Sequence, residues 1–211
     1  MKERLVVIGA GGHARSVMDV LIQNGDYDII GCLSPNGEKD VLGIPVLGDD
    51  QLLPQLYQEG CRHVFVALGK NKLRCRISER CREMGFRTIS VISRNAVISS
   101  RVEIGEGACV LHGAVIHVNS RIGRDCIINT AAAIDHDCVV GEGCHIAGNS
   151  YLAGTVSVGD YTLIAPGAVI RDGISIGKNC VIGMGAVATK NIPDEVMAYG
   201  VPACIVAEIR E

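Results

Sequence analysis

The chain has no tryptophan, and Phe, Tyr and Trp together make up only 3% of its 211 residues. A core organised around large rings is therefore excluded, and burial has to come from the aliphatic part of a 48% hydrophobic composition. No apolar run reaches the ~18 residues that a membrane-spanning helix needs. The opening Met-Lys-Glu-Arg leads straight into Leu5-Val6-Val7-Ile8, without a signal-peptide pattern. A soluble cytoplasmic protein with no membrane partner is the expectation. An excess of basic charge is missing too: the net charge is -3, which argues against nucleic acid as a partner. The ten cysteines include no CxxC pair. Cys126, Cys138, Cys144, Cys180 and, one step out of phase, Cys109 fall at or beside one repeated position. They read as small packing residues in a reducing compartment.

What is present is a strict period. Every sixth residue from Ile92 to Ile182 is Ile, Val or Leu, sixteen places in succession. The position four after each anchor is mostly Ala, Ser, Thr or Cys, and the position one after is often Gly. Neither the 3.6 period of a helix nor the 2 period of a strand gives a six. A coil of short parallel strands does, with one aliphatic side chain pointing inward per side and a small residue at each corner. This pattern resembles the left-handed β-helix of hexapeptide-repeat acyltransferases, with three hexapeptides per coil; the hand follows from the resemblance. Sixteen hexapeptides make a little over five coils, about 25 Å at the ~4.8 Å strand spacing.

The first part of the chain reads differently. Strands over residues 4–8, 28–33, 63–68 and 88–91 alternate with helices over 14–24, 50–58 and 71–84, and the turn-rich stretch 34–50 reads as irregular. Alternation of this kind predicts a small parallel sheet of Rossmann-like form. The fold class expected is thus an α/β Rossmann-like domain over residues 1–92, followed by an all-β left-handed parallel β-helix over 93–211.

Gly9-Ala10-Gly11-Gly12-His13 closes the first strand and opens a helix, where free backbone N–H groups can hold a phosphate. The end of the second strand reads Gly31-Cys32-Leu33-Ser34-Pro35 and lacks the acid that holds a dinucleotide ribose. A phosphate-bearing ligand other than NAD is favoured, with a purely structural turn as the alternative. His13 reads as a phosphate donor or as a helix cap. Lys70 and Asn71 follow Gly69 at the end of the third strand, within reach of the same phosphates.

Four histidines interrupt the regular repeats: His112, His117, His136 and His145. His136 lies between Asp135 and Asp137 while the anchors Ile134 and Val140 continue undisturbed. A carboxylate beside an imidazole fixes its tautomer and raises its basicity, which makes a general base at neutral pH.

The pattern NTxxxIxHDCxxGxxxHI from Asn129 to Ile146, the N-terminal VVIGAGGHA and the closing Gly200-Val201-Pro202-Ala203 resemble one branch of the hexapeptide family. That branch joins a sugar-nucleotide domain to the prism and contains bacterial UDP-4-amino-sugar N-acetyltransferases and sialic-acid O-acetyltransferases. The resemblance implies that His136 is the proton acceptor, that Asp137 increases its basicity and that His145 contacts acetyl-CoA, the co-substrate. It implies that Gly11, Gly12, His13, Gly69 and Asn71 bind the nucleotide sugar, and that no metal is needed. It departs from the family at Ser34-Pro35, where UDP-sugar members often carry an acidic pair, and at Cys204, where a basic residue is usual.

His145 lies nine residues beyond His136. With three hexapeptides per coil this is half a coil, so the two point from opposite sides of one prism. Both can face one substrate only across a subunit boundary, and a homotrimer with active sites between subunits is expected. Acetyl-CoA would lie in the groove between two prisms, near Gly154, Ala165, Gly167 and Gly183. Direct transfer suits the sequence, since a base beside acetyl-CoA needs no covalent intermediate. Two rivals remain: a zinc site of the γ-carbonic-anhydrase kind, suggested by His112-x4-His117, and a non-catalytic scaffold.

Overall fold

The structure, a computed structural model, describes residues 2–209. It divides between Ser93 and Arg94. Among the described residues no helix is long and apolar enough to cross a membrane.

In the first unit, β1 (Glu3–Ile8), β2 (Tyr27–Leu33), a hairpin of β3 (Asp40–Val41) and β4 (Ile44–Gly48), β5 (His63–Val66) and β6 (Arg87–Thr88) form a sheet in the order β3-β4-β2-β1-β5-β6. All pairings are parallel except β3 with β4. The central strand is covered on both faces, which is why it reads as the unbroken apolar run Leu5-Val6-Val7-Ile8, all buried. Helix α1 (Gly12–Asn24) buries Ala14, Val17, Met18, Val20 and Leu21. Helices α2 (Leu53–Gln58) and α3 (Asn71–Glu83) complete the unit. The chain leaves β1 toward β2 and returns to its other side at β5, so the strand order reverses at the carboxyl end of β1. A crevice for a ligand opens at such a switch point. Gly9 sits there with φ +116°, and a Cβ on it would lie 2.7 Å from the Ala67 carbonyl. No other residue fits that approach between the ends of β1 and β5.

The stretch expected to be irregular, 34–50, contains the β3–β4 hairpin, with Cys32 of β2 opposite Val46. Gly43 and Pro45 read as breakers, but Pro45 faces only the two-residue β3, where a missing donor costs little.

In the second unit, two-residue strands recur every six residues from Val97–Ile98 to Val187–Ala188. Strands pair in parallel at an interval of three hexapeptides, as in Ile116 with Ile134 and Ile128 with Ile146. Three ladders result, and the anchors Ile116, Ile128, Ile134, Ile146, Ile164 and Ile170 are wholly buried between them. The period runs one strand further than the aliphatic count, with the buried Ala188 as its last anchor. The first ladder carries Ile127–Ile128 and His145–Ile146, the second Ala133–Ile134 and Tyr151–Leu152, and the third Val139–Val140 and Ser157–Val158.

The corner chemistry differs from the expectation in two ways. The left-handed residue stands three places after the anchor, as in Asn119, Ala131, Asp137 and Asn149. The Gly one place after the anchor serves a close approach of backbone to backbone at the corner that follows the third ladder. A Cβ on Gly105, Gly123 or Gly159 would lie 2.5–2.7 Å from the backbone nitrogen of Arg124, Glu142 or Lys178 in the next coil. Where the small residue four after the anchor is polar, it also acts as a donor. The thiols of Cys126, Cys138 and Cys144 donate to the carbonyls of Gly141, Ala153 and Gly159, at 2.9–3.1 Å. Ser120 and Thr162 do the same to Asp135 and Gly177 at 2.7 Å. Cys, Ser and Thr share one structural task, which accounts for the cysteines at the corners of the coils without disulfides.

Candidate active site

The corner between the second and third ladders stacks His117-Val118-Asn119, Asp135-His136-Asp137 and Ala153-Gly154-Thr155 in successive coils. Asp137 has φ +58° and Asn119 φ +61°, a conformation that Asn and Asp tolerate better than most residues. Sharing it, the two side chains come into register, and the Asn119 amide donates to Asp137 Oδ1 at 3.0 Å. The other carboxylate oxygen, Oδ2, lies 2.8 Å from Nδ1 of His136. Nδ1–H therefore donates to the carboxylate and Nε2 is left as the acceptor. The imidazole is half exposed.

Asp135 anchors the other side. Its Oδ1 accepts the backbone N–H of His136 at 2.8 Å and its Oδ2 the Tyr151 hydroxyl at 2.9 Å. His117 Nδ1 stands 3.8 Å from the same carboxyl. The Asn119 amide, and after it the imidazole, hold the Asp137 carboxyl below the usual carboxylate range. The His136 N–H and the Tyr151 hydroxyl do the same for Asp135. The hydrogen bond to Asp137 raises the pKa of His136, with smaller contributions from the two negative charges. Burial pushes the Cys138 thiol up, so the sulfur adjoining Asp137 stays protonated. These groups make a base, not a covalent nucleophile.

His145 lies on the outside of the first ladder. Its Nε2 is 3.0 Å from the Asn129 amide nitrogen, whose orientation is fixed because Asn129 Oδ1 accepts the Thr130 N–H at 2.7 Å. Nε2 is thus the acceptor and the ring proton sits on Nδ1.

The structure separates the remaining expected cofactor residues into two places. Ala165, Gly167 and Gly183 follow strands of the first ladder, the side that carries His145. Gly154 is at the His136 corner. A Cβ there would lie 2.7 Å from both Cε1 and Nε2 of the imidazole, so glycine is what lets the ring sit over this corner. At Gly183 the neighbour is the Tyr199 ring, which a Cβ would overlap. His112 and His117 fall at two different corners, and among the described residues no group of three His, Cys, Asp or Glu converges as metal ligands.

In the first unit a cavity of about 720 Å³ opens at the switch point, lined among others by Gly11, Gly12, His13, Gly69 and Lys70. A Cβ on Gly11, Gly12 or Gly69 would meet nothing within 4 Å, so packing does not account for these glycines. The amino terminus of α1 has no side-chain cap and no acid in its first turn, which leaves its N–H groups for an anion. Burial, and after it the Arg74 guanidinium, lower the pKa of His13 to about 4, so it meets a ligand as a neutral imidazole. Asn71 is not among the lining residues. Its Oδ1 accepts from Arg74, which is buried and donates also to the Leu68 carbonyl at 2.9 Å.

Sequence reasoning missed Asn119, Tyr151 and the part played by Gly154. Counting one coil back and one coil on from the Asp135–Asp137 corner reaches Asn119 and Gly154; Tyr151 needed the geometry of the neighbouring strand.

No curated protein matches the chain. The family described as the PglD N-terminal domain matches residues 4–81, and the bacterial transferase hexapeptide (six repeats) matches 119–154 and 155–190. Among solved structures, PerB from Caulobacter crescentus in complex with CoA and GDP-perosamine is 41% identical over 96% of this chain and 97% of its own, with a TM-score of 0.93. The acetyltransferase domain of PglB from Neisseria gonorrhoeae in complex with acetyl coenzyme A is 34% identical over 98% and 100%, with a TM-score of 0.94. WeeI from Acinetobacter baumannii is 26% identical over 97% and 100%, with a TM-score of 0.74. The repeats thus form a left-handed β-helix, and the chain belongs to the acetyl-CoA-dependent sugar acetyltransferases that join a PglD-type N-terminal domain to hexapeptide repeats.

Proposed function

We propose that this protein transfers the acetyl group of acetyl-CoA to the amine of a nucleoside-diphosphate-linked amino sugar, with His136 as general base. The observation that carries the reading is the 2.8 Å bond from His136 Nδ1 to Asp137, which turns the lone pair of Nε2 outward. The amine attacks the thioester carbonyl while Nε2 takes its proton. The tetrahedral intermediate collapses, the C–S bond breaks, and the imidazolium returns the proton to the departing CoA thiolate. Asp137 stabilises that imidazolium and Asn119 holds Asp137 in place. N-acetylation is preferred to O-acetylation because a 40% identical relative is named as a perosamine N-acetyltransferase.

His145, Ala165 and Gly167 belong to the other side of the same prism, so acetyl-CoA lies between that side of one subunit and the His136 corner of the next, in a trimer. The outward residues of the second ladder support this. Val97, Val115, Ala133, Tyr151, Val169 and Val187 are apolar or aromatic throughout, and Val97 is 64% exposed in the single chain. The third ladder presents Glu103, Arg121, Val139, Ser157 and Ser175 instead, four of the five polar. The free cysteines fit the cytoplasm, a reducing compartment.

The test is CoA release with acetyl-CoA and a panel of UDP-, GDP- and CMP-linked amino sugars. Turnover with at least one of them, abolished in His136→Ala, is expected. No release with any, or full activity in His136→Ala, overturns the reading.

A further inference from the structure

The cavity of the first unit has an acid in its lining, Asp50, that the catalytic reading does not use. Leu68, Leu73 and Ile77 line it with apolar surface, and Asp50 lines it too. Leu73, Ile77 and Arg80 follow one another on one face of α3, at spacings of four and three. The third of them ends on Asp50, with Arg80 Nη1 donating to Asp50 Oδ2 at 2.8 Å. Asp50 itself begins the short 3-10 turn that follows β4. Its carboxylate is thereby fixed at the rim of an apolar slot, while the glycine loop and the amino terminus of α1 serve the phosphates.

We propose that Asp50 reads the nucleobase and that the base it selects is guanine. A carboxylate is an acceptor only. Guanine is the one common base whose Watson–Crick edge offers two adjacent donors, N1–H and the 2-amino group, to such a pair of oxygens. Uracil offers a single N–H between two carbonyls whose lone pairs face the carboxylate. Adenine and cytosine set an amino group beside an acceptor nitrogen. Arg80 keeps the oxygens oriented, so the wrong base turns at least one lone pair toward the carboxylate where guanine turns two donors. The proposal rests on the reading of this cavity as the nucleotide site.

Calorimetric titration of the whole protein with GDP, UDP, ADP and CDP, without acetyl-CoA, separates the two ideas. GDP is expected to bind tightest, by roughly ten- to hundredfold over UDP. Asp50→Asn, nearly the same shape, is expected to lose most of that preference by weakening GDP while leaving UDP within about threefold; unfolding temperature serves as the check on folding. UDP binding as tightly as GDP, or Asp50→Asn weakening all four alike, overturns the base assignment alone. No binding of any diphosphate overturns the cavity assignment as well.

Discussion

Gly154→Ala is the sharpest test of how the base is held. The new Cβ would lie 2.7 Å from Cε1 and Nε2 of His136, where carbon contacts ordinarily settle at about 3.5–4.0 Å. The ring edge therefore has to retreat by about 1 Å. Because Nδ1 is tethered to Asp137, most of the movement falls on Nε2, the atom that takes the proton. A displacement of this size at the reacting atom costs about 10²-fold in rate, equivalent to about 2.7 kcal/mol of barrier. Gly154 has no left-handed φ and its Cβ meets only a half-exposed side chain. Alanine there is unstrained, and stability should stay within about 1 kcal/mol of the parent. Steady-state kinetics beside a thermal melt is the assay, with kcat lowered, KM for acetyl-CoA little changed and an unaltered melt. A kcat within threefold of the parent, with KM for acetyl-CoA raised instead, would refute the reasoning and restore Gly154 to the cofactor groove.

Asp137→Asn removes the largest cause of the raised His136 pKa. Activity needs the neutral imidazole and is lost as pH falls through that pKa, so the acidic limb of the kcat/KM profile should move to lower pH while the plateau drops by about 10–10²-fold. Asn119→Ala lets the Asp137 pKa rise and loosens its carboxylate, and a smaller loss of kcat than in Asp137→Asn is expected from the same assay. For His13 the folded pKa of about 4 lies below the ordinary 6.5, so the unfolded chain binds the proton first. Stability is complete above pH 6.5 and falls by up to about 3 kcal/mol as pH drops toward 4; in His13→Gln that part of the slope in denaturant titrations should vanish. Val97→Glu with Val169→Glu places charge on the apolar ladder. Light scattering should then give a monomer, inactive although His136 and Asp137 are untouched; an active monomer would end the intersubunit site.

Much of the architecture was legible because a coil repeats its environment. Each hexapeptide meets the same demands, an inward aliphatic and a buried, mostly small residue at the corner, so the period survives even where the last anchor is Ala188. The β3–β4 hairpin was not legible, since Gly43 and Pro45 carry the composition of a loop and only pairing with β2 makes a strand of residues 44–48. At the corner, His136 and Asp137 stood out as neighbours in sequence. Asn119 and Gly154 act on them from one coil before and one coil after, a relation that no local pattern displays.

The sequence by itself determined the rungs, the α/β start, the glycine loop and the acid-flanked imidazole, because each follows from local spacing and side-chain chemistry. Tertiary structure decided which groups touch: the Asn119 amide on Asp137, the Tyr151 hydroxyl on Asp135, and the imidazole over Gly154. The physical reason is that stacking brings residues of successive coils into van der Waals and hydrogen-bond range, and both forces depend on distances of a few tenths of an ångström.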